Sequence, residues 1–132
     1  MLHEFMLTVE AGKKLIAKGL MADGEFSRAL RERKVLIVGG TTNAYVAKEA
    51  LALIGDGTPF DAASFRRGVT VPRGQAVPGG KFEGDILIER GKAFFGRDVF
   101  EEAPKLEAGD VVLKGANAVY LPAGEEIGRA HV

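Results

Sequence analysis

A chain of 132 residues has the size of one domain, large enough to bury a core and too small for two well-formed ones. Its 46% hydrophobic and 27% charged residues exclude a disordered chain, and no apolar run nears the roughly 18 residues of a spanning helix. Eighteen basic residues balance eighteen acidic ones, so no general field draws nucleic acid or acidic lipid, and the absence of cysteine excludes disulfides and thiolate chemistry.

The opening residues, Met1 to Leu7, lack the basic region and cleavage site of a signal peptide, and a cytoplasmic location is expected. From Thr8 to about Leu20 the residues Val9, Leu15, Ile16 and Leu20 recur at helical intervals and leave Lys13, Lys14 and Lys18 for solvent. Ala22-Asp23-Gly24 breaks that helix, and Glu25 to Arg33 predicts a second with Phe26 and Leu30 on one face. Val35-Leu36-Ile37-Val38 reads as a strand covered on both faces, closed by Gly39-Gly40. Ala47, Ala50, Leu51 and Ile54 then mark a helix that Gly55 ends.

The stretch from Gly55 to Gly84 holds long loops around one short strand near Phe65-Arg66-Arg67-Gly68-Val69-Thr70-Val71-Pro72, and loops of such length are usually functional or mobile. Further strands are expected at Asp85–Glu89, Asp110–Lys114 and Ala118–Leu121, the second entered through a turn at Leu106–Asp110. Helix, buried strand, glycine turn and helix together predict a single α/β domain over residues 1–132, three-layered and Rossmann-like, with a mostly parallel sheet and flanking helices.

The chemistry is expected at the turn Gly39-Gly40-Thr41-Thr42-Asn43. A strand that ends in two glycines and feeds a helix brings free N–H groups, hydroxyls and the positive end of a helix dipole to one point, a cradle for phosphate or carboxylate. The structural alternative is that Thr41, Thr42 or Asn43 caps the helix. A second place is Lys114-Gly115-Ala116-Asn117-Ala118, at a strand end where open parallel sheets bind ligands; there Lys114 can meet an anion and Asn117 can hydrogen-bond, or the segment is an ordinary turn. Of Arg66 and Arg67, neighbours on an extended chain, at most one faces a site. His3 and His131 lie at opposite ends of the chain without metal-ligand spacing, so no metal and no cofactor is expected. No Walker loop, serine nucleophile elbow or complete Gly-x-Gly-x-x-Gly is present.

A lysine-bearing helix, Val35 to Gly40, Thr41-Thr42-Asn43-Ala44-Tyr45, a helix and then Gly115-Ala116-Asn117 resemble the opening of type A ribose-5-phosphate isomerase. Its motif reads Gly-x-Gly-Thr-Gly-Ser-Thr before a helix, and its wider fold includes glucosamine-6-phosphate deaminase, DeoR-type sugar-phosphate sensors and coenzyme A transferases. The resemblance spans roughly residues 10 to 55 and 106 to 120. It implies the isomerase and coenzyme A transferase fold, an anion-cradle role for Gly40, Thr41, Thr42 and Asn43, and a lining role for Lys114 and Asn117. The family's later Asp-Gly-Ala-Asp-Glu is replaced by Lys114, Gly115, Ala116, Asn117 and Ala118. With those carboxylates gone and no catalytic glutamate evident, no base moves a proton between adjacent carbons, and isomerisation of ribose phosphate is not expected.

The expected function is therefore recognition of a phosphorylated sugar or similar small anion, with catalysis left open. The chain's last residues admit a shortened form of a larger family domain, and an exposed sheet edge admits pairing with a second copy. Two alternatives stand beside this: a non-catalytic sensor or assembly module acting through protein partners, and a Rossmann-type nucleotide-binding domain. The last would need Asp56 or Asp61 as its acidic residue about 20 positions beyond the glycine turn, after a second strand.

Overall fold

The computed structural model describes residues 1–67, 72–76 and 80–116, together with the backbone of two strands at 118–120 and 125–127. Helix α1 spans Val9–Ala22, with the Thr8 hydroxyl accepting the Ala11 N–H as its N-cap. Asp23 both ends this helix and starts the next. Its N–H donates to the Gly19 and Leu20 carbonyls, while its carboxylate accepts the Phe26 N–H at 2.9 Å and caps α2, Gly24–Glu32. Strand β1 is Lys34–Ile37, and helix α3 runs over Thr41–Leu53. Thr41, Thr42 and Asn43, read from the sequence as part of a turn, thus form the first turn of that helix.

Strand β2, Asp85–Glu89, returns as β3, Lys92–Arg97, through Arg90 and Gly91. Both turn residues have positive φ, 48° and 77°, which suits the twist of a two-residue hairpin. Their N–H groups donate to the Arg33 and Leu30 carbonyls, so the hairpin tip satisfies the C-terminal end of α2. Helix α4, Val99–Glu102, and a 3-10 turn, Ala103–Lys105, then lead to β4, Val111–Leu113. Strands β5, Ala118–Tyr120, and β6, Glu125–Ile127, pair antiparallel in a separate ribbon.

The main sheet has the order β3-β2-β1-β4. Only β1 and β4 run parallel; β2 is antiparallel to both β1 and β3. The molecule is an α/β fold, as expected, but its sheet is mixed rather than mostly parallel. The sequence misleads here because β1 and β2 are buried on both faces, and a continuous apolar run reads the same in either direction. Phe65, Arg66 and Arg67 belong to no strand, and residues 68–71, where the rest of the expected short strand falls, lie outside the described residues.

Alternation sends Val35, Ile37, Ile86 and Ile88 to one face, where they meet Phe26 and Leu30 of α2, Ala47 and Leu51 of α3, and Phe65. Leu36 and Leu87, equally buried, point to the opposite face. The α4 segment is tied to residues of that second face at both ends: the Val99 N–H donates to Asp85 Oδ2 at 2.8 Å, and Lys34 Nζ to the Lys105 carbonyl at 3.4 Å. Helix α1 packs on α3 rather than on the sheet. It buries Ala17 and leaves Val9, Leu15 and Ile16 more than half exposed, so its apolar residues do not form the single core-facing stripe their spacing predicts. Among the described residues no helix is long and apolar enough to cross a membrane.

Candidate functional site

Because β1 and β4 are parallel, their C-terminal ends lie side by side, and the N-terminus of α3 opens at that same end. The Val38 N–H donates to the Leu113 carbonyl at 3.0 Å. The Asn43 amide donates to the Val38 carbonyl at 2.8 Å and to the Leu113 carbonyl at 2.9 Å, which staples both strand ends to the helix. Asn43 is buried, and its two amide hydrogens are spent on the scaffold. Lys114 follows Leu113 and is exposed, with Nζ 3.4 Å from the Gly115 carbonyl. The structure thus brings Lys114, which opens the second stretch singled out in the sequence, to the same end of the sheet as the glycine turn. Asn117 lies outside the residues whose side chains are described.

The two glycines divide their duties. A methyl group on Gly39 would stand 2.3 Å from the Phe82 ring, so Gly39 is small because an aromatic ring covers it. At Gly40 the nearest atom to such a methyl is the Val38 carbonyl oxygen at 4.0 Å, and the space beside it is open. Gly40 is the N-cap of α3, in extended backbone, and among the described residues no side chain caps the helix. The alternative role of Thr41, Thr42 or Asn43 as cap is therefore not the one these side chains take.

The electrostatics at this helix end are one-sided. The first turn of α3 holds no acidic residue. Lys13 of α1 donates through Nζ to the Thr41 hydroxyl at 2.9 Å, placing a cation at the positive end of the helix dipole. A cation there is unfavourable by about 0.3–1 kcal/mol unless a negative group balances it. Open space at Gly40, uncapped N–H groups and a converging ammonium are together what a small oxyanion requires.

Sequence reasoning missed Asp85, which is fully buried. Its Oδ1 accepts the Gly39 N–H at 2.8 Å, and its Oδ2 accepts both the Val99 N–H and the Arg67 guanidinium. The signal was present, since an aspartate opens an otherwise apolar run, but a strand-edge charge is commonly solvated. Arg67 is held further by Asp98 at 3.9 Å and by the Phe82 and Phe100 rings, 5.2 and 5.8 Å from its guanidinium carbon. It serves the scaffold beneath the turn, and Arg66 makes no matching contact with Asp85.

His3 stacks loosely on Phe5 at the exposed N-terminal segment, and among the described residues no three His, Asp or Glu side chains gather as a metal site. Asp56 and Asp61 hold local turns, accepting the Thr58 and Ala63 N–H groups; neither follows a strand. The Thr58 hydroxyl and N–H hold the Asp56 carboxyl below its ordinary value. No protein-family model, curated protein or solved structure matches this chain.

Proposed function

We propose that the chain binds a phosphorylated sugar or a similar small anion at the N-terminus of α3, on the backbone of Gly40, Thr41 and Thr42, with Lys13 and Lys114 as the nearby cations. The observation that carries this reading is the uncapped, acid-free first turn of α3 with a lysine ammonium drawn against it. Gly39 and Asn43 support the site from beneath. The choice of a sugar phosphate rests on the resemblance of Val35 to Tyr45 to type A ribose-5-phosphate isomerase. The parallel pair β1 and β4, with α3 between them in the chain, is the part of this fold that such kinship would retain. Isomerisation itself is not proposed, since Asp85, the acidic residue bonded to the turn, is committed to three donors.

Gly40→Asp tests this. A carboxylate at the cap position accepts a free N–H and complements the dipole, so it should stabilise the unliganded protein by a few tenths to about 1 kcal/mol. The same carboxylate repels an anion. Thermal unfolding with ribose 5-phosphate, fructose 6-phosphate and inorganic phosphate should show a shift for the parent protein, worth about 2.7 kcal/mol at 100 times the dissociation constant, and none for the variant. A shift that survives in Gly40→Asp, or no shift with any probe in the parent, would overturn the reading.

One observation favours a second reading, a module that works through a protein partner. Met1, Leu2, Phe5, Met6 and Leu7 are all more than half exposed, next to the exposed Val9, Leu15 and Ile16 of α1. Concentration-dependent light scattering with and without residues 1–7 separates this reading from the first.

A further inference from the structure

Helices α1 and α3 lie side by side in the same direction: Lys13 meets Thr41 at one level, and Lys18 pairs with Glu49, 3.5 Å away, roughly one and a half turns further along α1 and two along α3. Between them is a cavity of about 610 Å³, within the size range of small-molecule sites. Lys14 and Lys18 of α1 and Tyr45 and Lys48 of α3 line it, with Glu10 and Glu49 as its acidic members. Buried Ala17 and Ala44 form the floor, where small side chains leave the depth that larger ones would fill. Glu49 is paired with Lys18, whereas Lys14 and Lys48 have no carboxylate within 4 Å among the described residues.

Thr41, Tyr45 and Lys48 stand on one face of α3 at four- and three-residue steps, and on α3 the lining of the cavity begins at Ala44 and Tyr45, one turn in from the uncapped helix end. Helical rise puts Lys48 roughly 10 Å along the axis from Thr41. In a chain without net charge, this groove and its mouth collect Lys13, Lys14, Lys18 and Lys48 against two glutamates.

We propose that this groove holds the body and the second anionic group of a doubly phosphorylated small sugar, whose first phosphate sits on the Gly40 turn; the proposal rests on the anion reading of that turn. Tyr45 lies midway, where its ring packs on the carbon skeleton and its hydroxyl exchanges hydrogen bonds with sugar hydroxyls. Lys48 receives the distal phosphate. A monophosphate fills only the mouth of such a site.

Isothermal titration of the intact chain with fructose 1,6-bisphosphate and fructose 6-phosphate reads this directly. The bisphosphate should bind about tenfold tighter, since a few partly exposed charge contacts supply a factor of that order. In Lys48→Ala the preference should fall towards unity, with the affinity for fructose 6-phosphate unchanged within about twofold. Gly40→Asp should lose both ligands. Equal binding of the two probes by the parent protein, with both lost in Gly40→Asp, would overturn the groove proposal and leave the turn reading standing. So would a Lys48→Ala variant that weakens both ligands alike. Failure of both probes to bind, or bisphosphate binding that survives Gly40→Asp, would overturn the turn reading, and the groove proposal with it.

Discussion

Gly39 and Gly40 are adjacent and chemically identical, yet only one of them is fixed by packing. Adding a methyl at Gly39 drives an atom to 2.3 Å from the Phe82 ring, and that ring is braced by the Arg67 guanidinium on one side and by Phe65, with centroids 6.1 Å apart. The ring can retreat only by disturbing both contacts. Gly39→Ala is therefore expected to lose about 1–2 kcal/mol of stability, an overpacking cost, as read from urea unfolding. A loss below about 0.3 kcal/mol would mean that Phe82 does not cover Gly39 in solution. The sequence marks both glycines as a turn, and rightly, but it could not distinguish them. The deciding neighbour of Gly39 lies 43 positions away in a stretch that carries no secondary-structure signal, and no local pattern reports it. Asn43 is a similar case. Its residue type suggests a ligand or a cap, whereas its amide is committed to carbonyls from two different strands, one of them brought close only by the fold.

At the scale of the element, the regions with strong periodicity were legible. Strand β2 occupies Asp85–Glu89 as its apolar run predicts, and α2 buries Phe26 and Leu30 as their spacing predicts. Strand β3 was not legible, because Lys92–Arg97 lies at the sheet edge with both faces partly exposed and so shows no clean alternation. Its entry turn, Arg90–Gly91, carries none of the Asn or Asp that advertises such turns. The start of β1 depends on another link invisible in sequence. Asp110, in the turn before β4, accepts the Lys34 N–H at 3.0 Å through one oxygen and the Glu107 N–H at 2.8 Å through the other. Desolvation, the largest single influence, raises the Asp110 carboxyl, but the two N–H donors and the charges of Lys34 and Arg33 together hold it below its ordinary value. A carboxyl depressed in the folded state stabilises at pH above the unfolded value of about 3.9, and that contribution is lost as pH falls through the lower folded value. Asp110→Asn should thus cost about 1 kcal/mol at pH 7, discounted for solvent screening, and the gap between variant and parent should close in stronger acid. A gap that stays constant from pH 7 to 2.5 would show that the charge of Asp110 contributes nothing.

Across the whole molecule, one buried carboxylate on β2 connects the candidate site to two remote stretches of chain. Asp85 opens β2, yet its oxygens hold Gly39 at the end of β1, Arg67 in the long loop after α3, and Val99 at the start of α4. The antiparallel course of β2, which the sequence did not disclose, is what delivers it there: Ile37 pairs with Ile86, so Asp85 falls level with Val38, one residue from Gly39. In Asp85→Asn the side chain keeps its size but loses its charge, and its amide nitrogen must face at least one group that is itself a donor. With Arg67 still 27% exposed to water, the loss should be about 2–4 kcal/mol, below that of a fully enclosed ion pair. The effect on ligand separates two views of the site. If Asp85 mattered only as a nearby negative charge, removing it would tighten anion binding. If it acts by fixing the Gly39 N–H and hence the path of Gly40 into α3, phosphate affinity should fall, because the first turn of the helix no longer presents its N–H groups in one orientation. We expect the fall, measured as phosphate binding at a temperature where Asp85→Asn remains folded. Tighter binding in the variant would show that the carboxylate opposes the ligand rather than positioning its cradle.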